Sequence, residues 1–166
     1  TEVSLRYMNT VKLTLGSLAW SVVVGVLLGV WSGKHRSKWQ DYTGMTMAIS
    51  GISMPSFWIG FLLIMVFSVN LKWLPTTGAD SWKSFILPSI ALGTSIAAII
   101  ARFTRSSIIE VMKEDYIGTA RAKGLKERTV IWKHAFRNAM ISVVTVVGLQ
   151  FGFLLGGSVV TESVFA

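Results

Sequence analysis

The chain has 166 residues, no Cys, 52% hydrophobic and 14% charged residues, and a net charge of +8. A soluble domain carries about a quarter of its residues as charges, and a disordered chain lacks the aliphatic residues and the 19 aromatics present here. Both classes are excluded, and so are a disulfide frame and thiolate metal sites.

Position resolves the oddity of a chain that is apolar yet basic. Four runs hold no charge: Leu13 to Gly33, Tyr42 to Leu71, Ser84 to Ala101 and Asn138 to Thr161, with lengths of 21, 30, 18 and 24 residues. About 20 apolar residues cross a hydrocarbon core. The pattern predicts an all-α membrane protein, a polytopic transmembrane helix bundle with spans at about 11–31, 43–70, 85–103 and 139–160. The first run is followed by Gly33-Lys34-His35-Arg36 and not by a small-residue cleavage site, so it does not read as a secretory signal. The chain opens on Thr1-Glu2-Val3 without Met and stops at Phe165-Ala166 just after a span, as expected of one piece, 1–166, of a longer membrane domain.

The first span carries Ser21, Gly25, Gly29 and Gly33 at intervals of four. Small residues so spaced share a helix face and admit a neighbouring helix closely. The second run is too long for one straight crossing, and Pro55 predicts a kink or break near Gly51 to Pro55. Ser50, Ser53 and Ser56 cluster there. A broken backbone inside a bilayer needs protein or a wet cavity beside it, so this segment is either a wall of a translocation pathway or a packing kink.

The third span starts after Trp82-Lys83 with Pro88 in its first turn, where a missing N–H costs little. Its small, weakly polar centre, with Thr94 and Ser95, belongs inside the bundle. The fourth repeats the small-residue spacing with Gly148, Gly152 and Gly156 and adds Gln150, read as an interhelical hydrogen-bonding group or a pathway residue.

Between the third and fourth spans lies a patterned connection, 104–138. Glu114 and Asp115 precede Tyr116-Ile117-Gly118-Thr119-Ala120-Arg121-Ala122-Lys123, and Gly124 follows. Acids first, bases in the last turn and Gly beyond the end predict a short helix. Ala120 and Ala122 at its centre suit a helix lying in a partner's groove; a basic helix on anionic lipid is the alternative. A second helix is predicted from about Glu127 into the membrane. A nucleic-acid surface is not expected, because four acids interleave with the bases and no recognition motif is present.

Twelve of the 16 Lys and Arg residues, Lys34, Arg36, Lys38 and nine from Arg102 to Arg137, fall on one side of the alternating spans. The positive-inside rule makes that side cytoplasmic and both ends of the chain external. Trp31 and Trp39 then mark the inner interface, and Trp73 and Trp82 the outer one.

The connection carries a resemblance. Asp115-Tyr116-Ile117, Thr119-Ala120-Arg121-Ala122-Lys123-Gly124-Leu125 and His134-Ala135-Phe136-Arg137-Asn138-Ala139 resemble the cytoplasmic signature loop of bacterial ABC-importer permeases of the dipeptide, oligopeptide and nickel group. Ser53-Met54-Pro55-Ser56-Phe57-Trp58, Ala101-Arg102-Phe103-Thr104-Arg105 and Val147-Gly148-Leu149-Gln150 extend the likeness across the chain. Gly78-Ala79-Asp80-Ser81-Trp82 and Gln150 to Ser158 are most similar to the glutathione-importer branch. Ser142 departs from the family's frequent proline at the start of that helix.

The resemblance implies four spans of a six-helix permease in the bacterial inner membrane, working with a second permease subunit, two ATPase subunits that bind ATP and Mg, and an extracytoplasmic substrate-binding protein. It implies that Tyr116, Thr119, Ala120, Arg121, Ala122, Lys123, Gly124 and Leu125 form a coupling helix seated on an ATPase subunit. The residues agree with that division. A phosphate-binding Gly-x4-Gly-Lys-Ser/Thr loop is missing, and neither His35 nor His134 has flanking metal ligands. No catalytic residues, metal site or cofactor of the chain's own are expected.

The expected activity is ATP-driven translocation by alternating access, with Ser50, Ser53, Ser56, Thr94, Ser95 and Gln150 as the polar candidates for the pathway. Neutral hydrogen-bonding groups suit a peptide. A nickel chelate is the alternative within the family, kept open by seven Met residues. A secondary transporter or channel is the alternative of another class, although such proteins usually carry ionisable residues within the membrane; Glu162 is the acid nearest a span. A structural membrane anchor is a further alternative.

Overall fold

The charge-free runs become helices, and the helices of the first and third runs continue past a charge that bounds them. The computed structural model describes residues 2–76 and 81–157, and no strand occurs among them. The expected end of the fourth span at 158–160, Glu162 and the stretch 77–80 lie outside the described residues.

In chain order, α1 spans Glu2–Lys34, α2 Trp39–Ser53, α3 Ser56–Leu63, α4 Ile86–Val111, α5 Asp115–Ala122, α6 Glu127–Thr129 and α7 Phe136–Gly157. A π-helical segment, Ile64–Asn70, continues α3; a 3-10 turn, Trp82–Phe85, leads into α4; and a second π-helical segment, Val130–Ala135, joins α6 to α7. Met8–Lys34, Trp82–Val111 and Glu127–Leu154 are each long and apolar enough to cross a membrane. The bent pair Trp39–Ser53 and Ser56–Asn70 makes a fourth crossing if taken as one span. The polytopic all-α reading therefore holds.

The central helix is α4, which packs on α1, α2, α3 and α7. Its Ala91, Ile100 and Ala101 are fully buried, as the small-residue centre of the third run predicts. The glycine face of α1 lies directly against it. A β-carbon added at Gly25 would stand 2.6 Å from the Ala97 carbonyl oxygen, and one at Gly29 would collide with Thr104. On α4, Gly93 faces the Ser17 carbonyl in the same way. Lipid is as apolar as Leu, so close van der Waals contact takes over the work that water exclusion does in soluble proteins.

The second run breaks at Pro55. Proline disfavours the helical conformation in the residue before it; Met54 is extended at φ −97° and ψ 129°, and α2 and α3 meet at 101°. The segment after the break lies on the beginning of α4, where Ile59, Leu63, Ile64 and Phe67 cover Leu87 and Ala91.

At the opposite end of α2 a left-handed residue, Ser37 at φ 61°, turns the chain out of α1. Asp41 in the first turn of α2 accepts the Ser37 N–H at 3.0 Å. It also takes Arg105 of α4 in two hydrogen bonds, Nε and Nη2 each 2.6 Å from a carboxylate oxygen. Arg102 ends the third apolar run, but the next charge, Arg105, finds a partner within the bundle, and α4 continues for ten residues beyond Ala101.

The small-residue face of α7 differs from that of α1. Added β-carbons at Gly148 and Gly152 would meet nothing within 4 Å, and Leu149 and Phe153 are exposed. Among the described residues Gly148 and Gly152 have no partner helix; the surroundings of Gly156, the third member of the expected device, are not described. Trp39, Trp73 and Trp82 are well exposed, as interfacial aromatics are.

Candidate functional site: the α4–α7 connection and the broken helix

Two regions matter, and the first is the connection between α4 and α7. Hydrogen bonds from Lys113 N to Glu110 O and from Glu114 N to Val111 O, both 3.1 Å, turn the chain sharply from α4 into α5. The helix runs Asp115–Ala122, as the acid-first, base-last pattern predicts. Its end is a Schellman arrangement: Gly124 N donates to Arg121 O at 2.9 Å and Leu125 N to Ala120 O at 3.4 Å, with Gly124 at φ 77°.

The connection has a core of its own. Ile117 and Ala120 are buried against Val130 and Ala135, with Val111 and Met112 alongside. This corrects the expectation that Ala120 faces outward: the three-residue offset from Ile117 places both on the inner stripe of the helix. The outward side is Gly118, Thr119, Ala122 and Lys123, all exposed. Leu125 lies exposed just past the helix end. Small residues therefore do face out, at Gly118 and Ala122.

Two side-chain ties hold α5 in place. The Asn138 amide at the foot of α7 donates to the Tyr116 hydroxyl at 2.6 Å. Arg121 clasps Glu127 with Nη2 at 2.8 Å and Nε at 3.2 Å, and this hydrogen bonding raises the guanidinium pKa further above its ordinary value. The Thr119 hydroxyl returns to the Asp115 carbonyl at 3.1 Å. A short helix is thus presented on a rigid mount at the end of the central helix.

The second region is the break in the second run. Ser50 donates to Thr46 O at 2.7 Å, Ser53 to Ile49 O at 3.0 Å and Thr94 to Ile90 O at 2.6 Å. These hydroxyls hydrogen-bond within their own helices, as Ser and Thr do in membrane helices. Ser95 alone of the six candidates reaches another element: its hydroxyl donates to Gly51 O at 3.2 Å, beside the contact between Gly51 and Thr94. Ser56 is half-buried at the start of α3, and Gln150, half-buried on α7, takes no part in this junction. An open groove of about 520 Å³ elsewhere, walled by Trp20, Val23, Trp82, Phe85 and Ile90, includes none of the six.

Sequence reasoning missed the Asp41–Arg105 pair and the Tyr116–Asn138 bond, which join residues 64 and 22 positions apart. A signal for the first was present: Asp41 bounds one charge-free run and Arg105 lies just beyond the end of another, on the same side of the alternating spans. His35 is occupied locally, its Nδ1 lying 2.8 Å from the Trp31 carbonyl, and no three His, Asp or Glu side chains converge among the described residues.

Residues 25–166 match the family model described as "Binding-protein-dependent transport system inner membrane component". The chain is 56% identical over 164 residues to the glutathione transport system permease protein GsiC of Pectobacterium atrosepticum and to that of Escherichia coli strain K12. It is 54% identical to the protein of that name from Salmonella choleraesuis. Each match covers 99% of this chain and 54% of the relative, so the chain spans about half the length of these curated relatives. Among solved structures, the fold is similar to that in a crystal structure of an amino acid ABC transporter with histidines, at a TM-score of 0.66 and 17% identity over 93% of this chain and 68% of that one.

Proposed function

The chain belongs to the family of binding-protein-dependent transport system inner membrane components, and from that premise we propose that it is part of the permease subunit of a bacterial ATP-binding-cassette importer that carries glutathione or similar short peptides inward. The substrate class is supported by the names of relatives 56% identical to it. A pathway wall without buried free charge, with hydroxyls at the α2 break and on α4, suits a peptide that brings its own hydrogen-bonding groups.

The observation that carries the mechanism is the mount of α5. The helix hangs directly from α4, is backed by its own core and is clamped to α7 through Tyr116 and Asn138. A push on its exposed side reaches both helices without first deforming a flexible loop. In this reading α5 sits in a groove of an ATPase subunit on the cytoplasmic side, where twelve of the 16 bases lie. The outer ends of α1 and α7 face the binding protein's side. ATP binding draws two ATPase subunits together, and this chain and a second permease subunit rock between inward-open and outward-open states. The ATPase must contact α5 differently in those two states, since an effector without differential interaction shifts nothing.

These 166 residues hold no Cys, so Ala122→Cys in the intact permease, with any cysteine outside them replaced, gives a clean test. Cross-linking from that position to an ATPase subunit, with a yield that changes when ATP is added, is the expected result. No cross-link in a complex that retains the subunit would contradict the assignment.

A further inference from the structure

The cytoplasmic ends of α2 and α4 are joined by a contact built more tightly than packing requires. Asp41 is 3% exposed and Arg105 29%; two hydrogen bonds of 2.6 Å connect them, and the Ser37 N–H fills a further carboxylate position. Both helices have functional ends. Arg105 lies on the stretch of α4 that leads directly into α5. Asp41 opens α2, whose other end is the break at Pro55, where Ser95 holds Gly51. Thus α4 touches α2 through a polar tie at the cytoplasmic end and another at the break, with Ala48, Ala98 and Ala101 packed between them.

We infer that Asp41 and Arg105 are positioning residues for transport: the pair makes α2 follow α4, so that displacement of α5 moves the broken segment and not α4 alone. The inference rests on the coupling role proposed for α5. A bidentate guanidinium–carboxylate pair is suited to this, because its two parallel bonds fix relative orientation as well as distance. Apolar contacts such as Ala48 on Ala98 can slide. A buried ion pair can often be replaced by apolar residues of similar volume without loss of stability.

That last point supplies the test. The intact permease, assembled with its partner subunits in proteoliposomes, is compared with the double variant Asp41→Leu/Arg105→Met, which keeps the volume and removes the tie, and with Asp41→Asn. The readout is cargo taken up per ATP hydrolysed, with the amount of co-purified ATPase subunit measured on the same samples. The expected result is normal co-purification and a ratio lowered about tenfold, the scale of a typical coupling free energy. A wild-type ratio in the double variant overturns the inference. If that variant does not assemble, an unchanged ratio in Asp41→Asn overturns it. Failure of the unmodified protein to retain an ATPase subunit or to use ATP would instead contradict the importer reading itself.

Discussion

The Ser95 hydroxyl on α4 donates to the Gly51 carbonyl on α2 at 3.2 Å. Four residues after Gly51 stands Pro55, which has no N–H to offer, so this carbonyl has no intrahelical donor. In a membrane interior an unpaired carbonyl is costly, and Ser side chains from neighbouring helices are a standard remedy. The break and its remedy are therefore one feature contributed by two helices.

Replacing Ser95 by Ala leaves Gly51 O without its donor. The expected cost is about 1 kcal/mol of stability, seen as a lower melting temperature of the detergent-solubilised permease. Ser95→Thr keeps a hydroxyl and is expected to melt close to the wild type. Equal melting of the Ala variant and the wild type would show that the bond does not support the break.

Gly25 is a point of close backbone approach between α1 and α4. With the Ala97 carbonyl oxygen 2.6 Å from where a β-carbon would be, Gly25→Ile must push the helices apart, at a cost of about 1–3 kcal/mol. A β-carbon at Gly148 on α7 meets nothing within 4 Å among the described residues, and Gly148→Ile is expected to leave the α1–α4 pair intact. The two are compared by thermal unfolding and by the rate of amide exchange in α4.

Much of this was legible in advance. Charge-free runs located three membrane-length helices and the bent pair that makes a fourth crossing if taken as one span, Pro55 gave the break, and the acids, bases and Gly124 gave α5 almost to the residue. What escaped was whatever depends on partners far away in sequence. Arg105 read as part of the connection after the third span, yet Asp41, 64 positions earlier, lets it stay on a helix inside the bundle. Ala120 read as an outward residue because its small size suits a groove, whereas the location of Val130 and Ala135 decides which side of α5 is the inner one. The π-helical segments have no sequence signature of their own.

Gly124 occupies the left-handed region at φ 77° with open space around it. The demand there is conformational and not steric, so a β-branched residue strains the helix stop by about 1–2 kcal/mol while Asn, which tolerates that region, does so less. Gly124→Val is expected to insert normally but to lose uptake while ATP hydrolysis continues. Gly124→Asn should retain most of the uptake. Full uptake by the Val variant would remove Gly124 from the coupling machinery.

The central proposal is that the permease of which this chain is part moves a peptide at the expense of ATP hydrolysed elsewhere. Its most direct test uses the intact permease, its partner subunits and the binding protein in proteoliposomes, with labelled glutathione on the binding-protein side. Uptake is measured with ATP supplied to the ATPase side, and again without ATP under an imposed proton or sodium gradient. Accumulation with ATP and none with the gradients is the predicted result. Accumulation driven by a gradient without ATP would contradict the account.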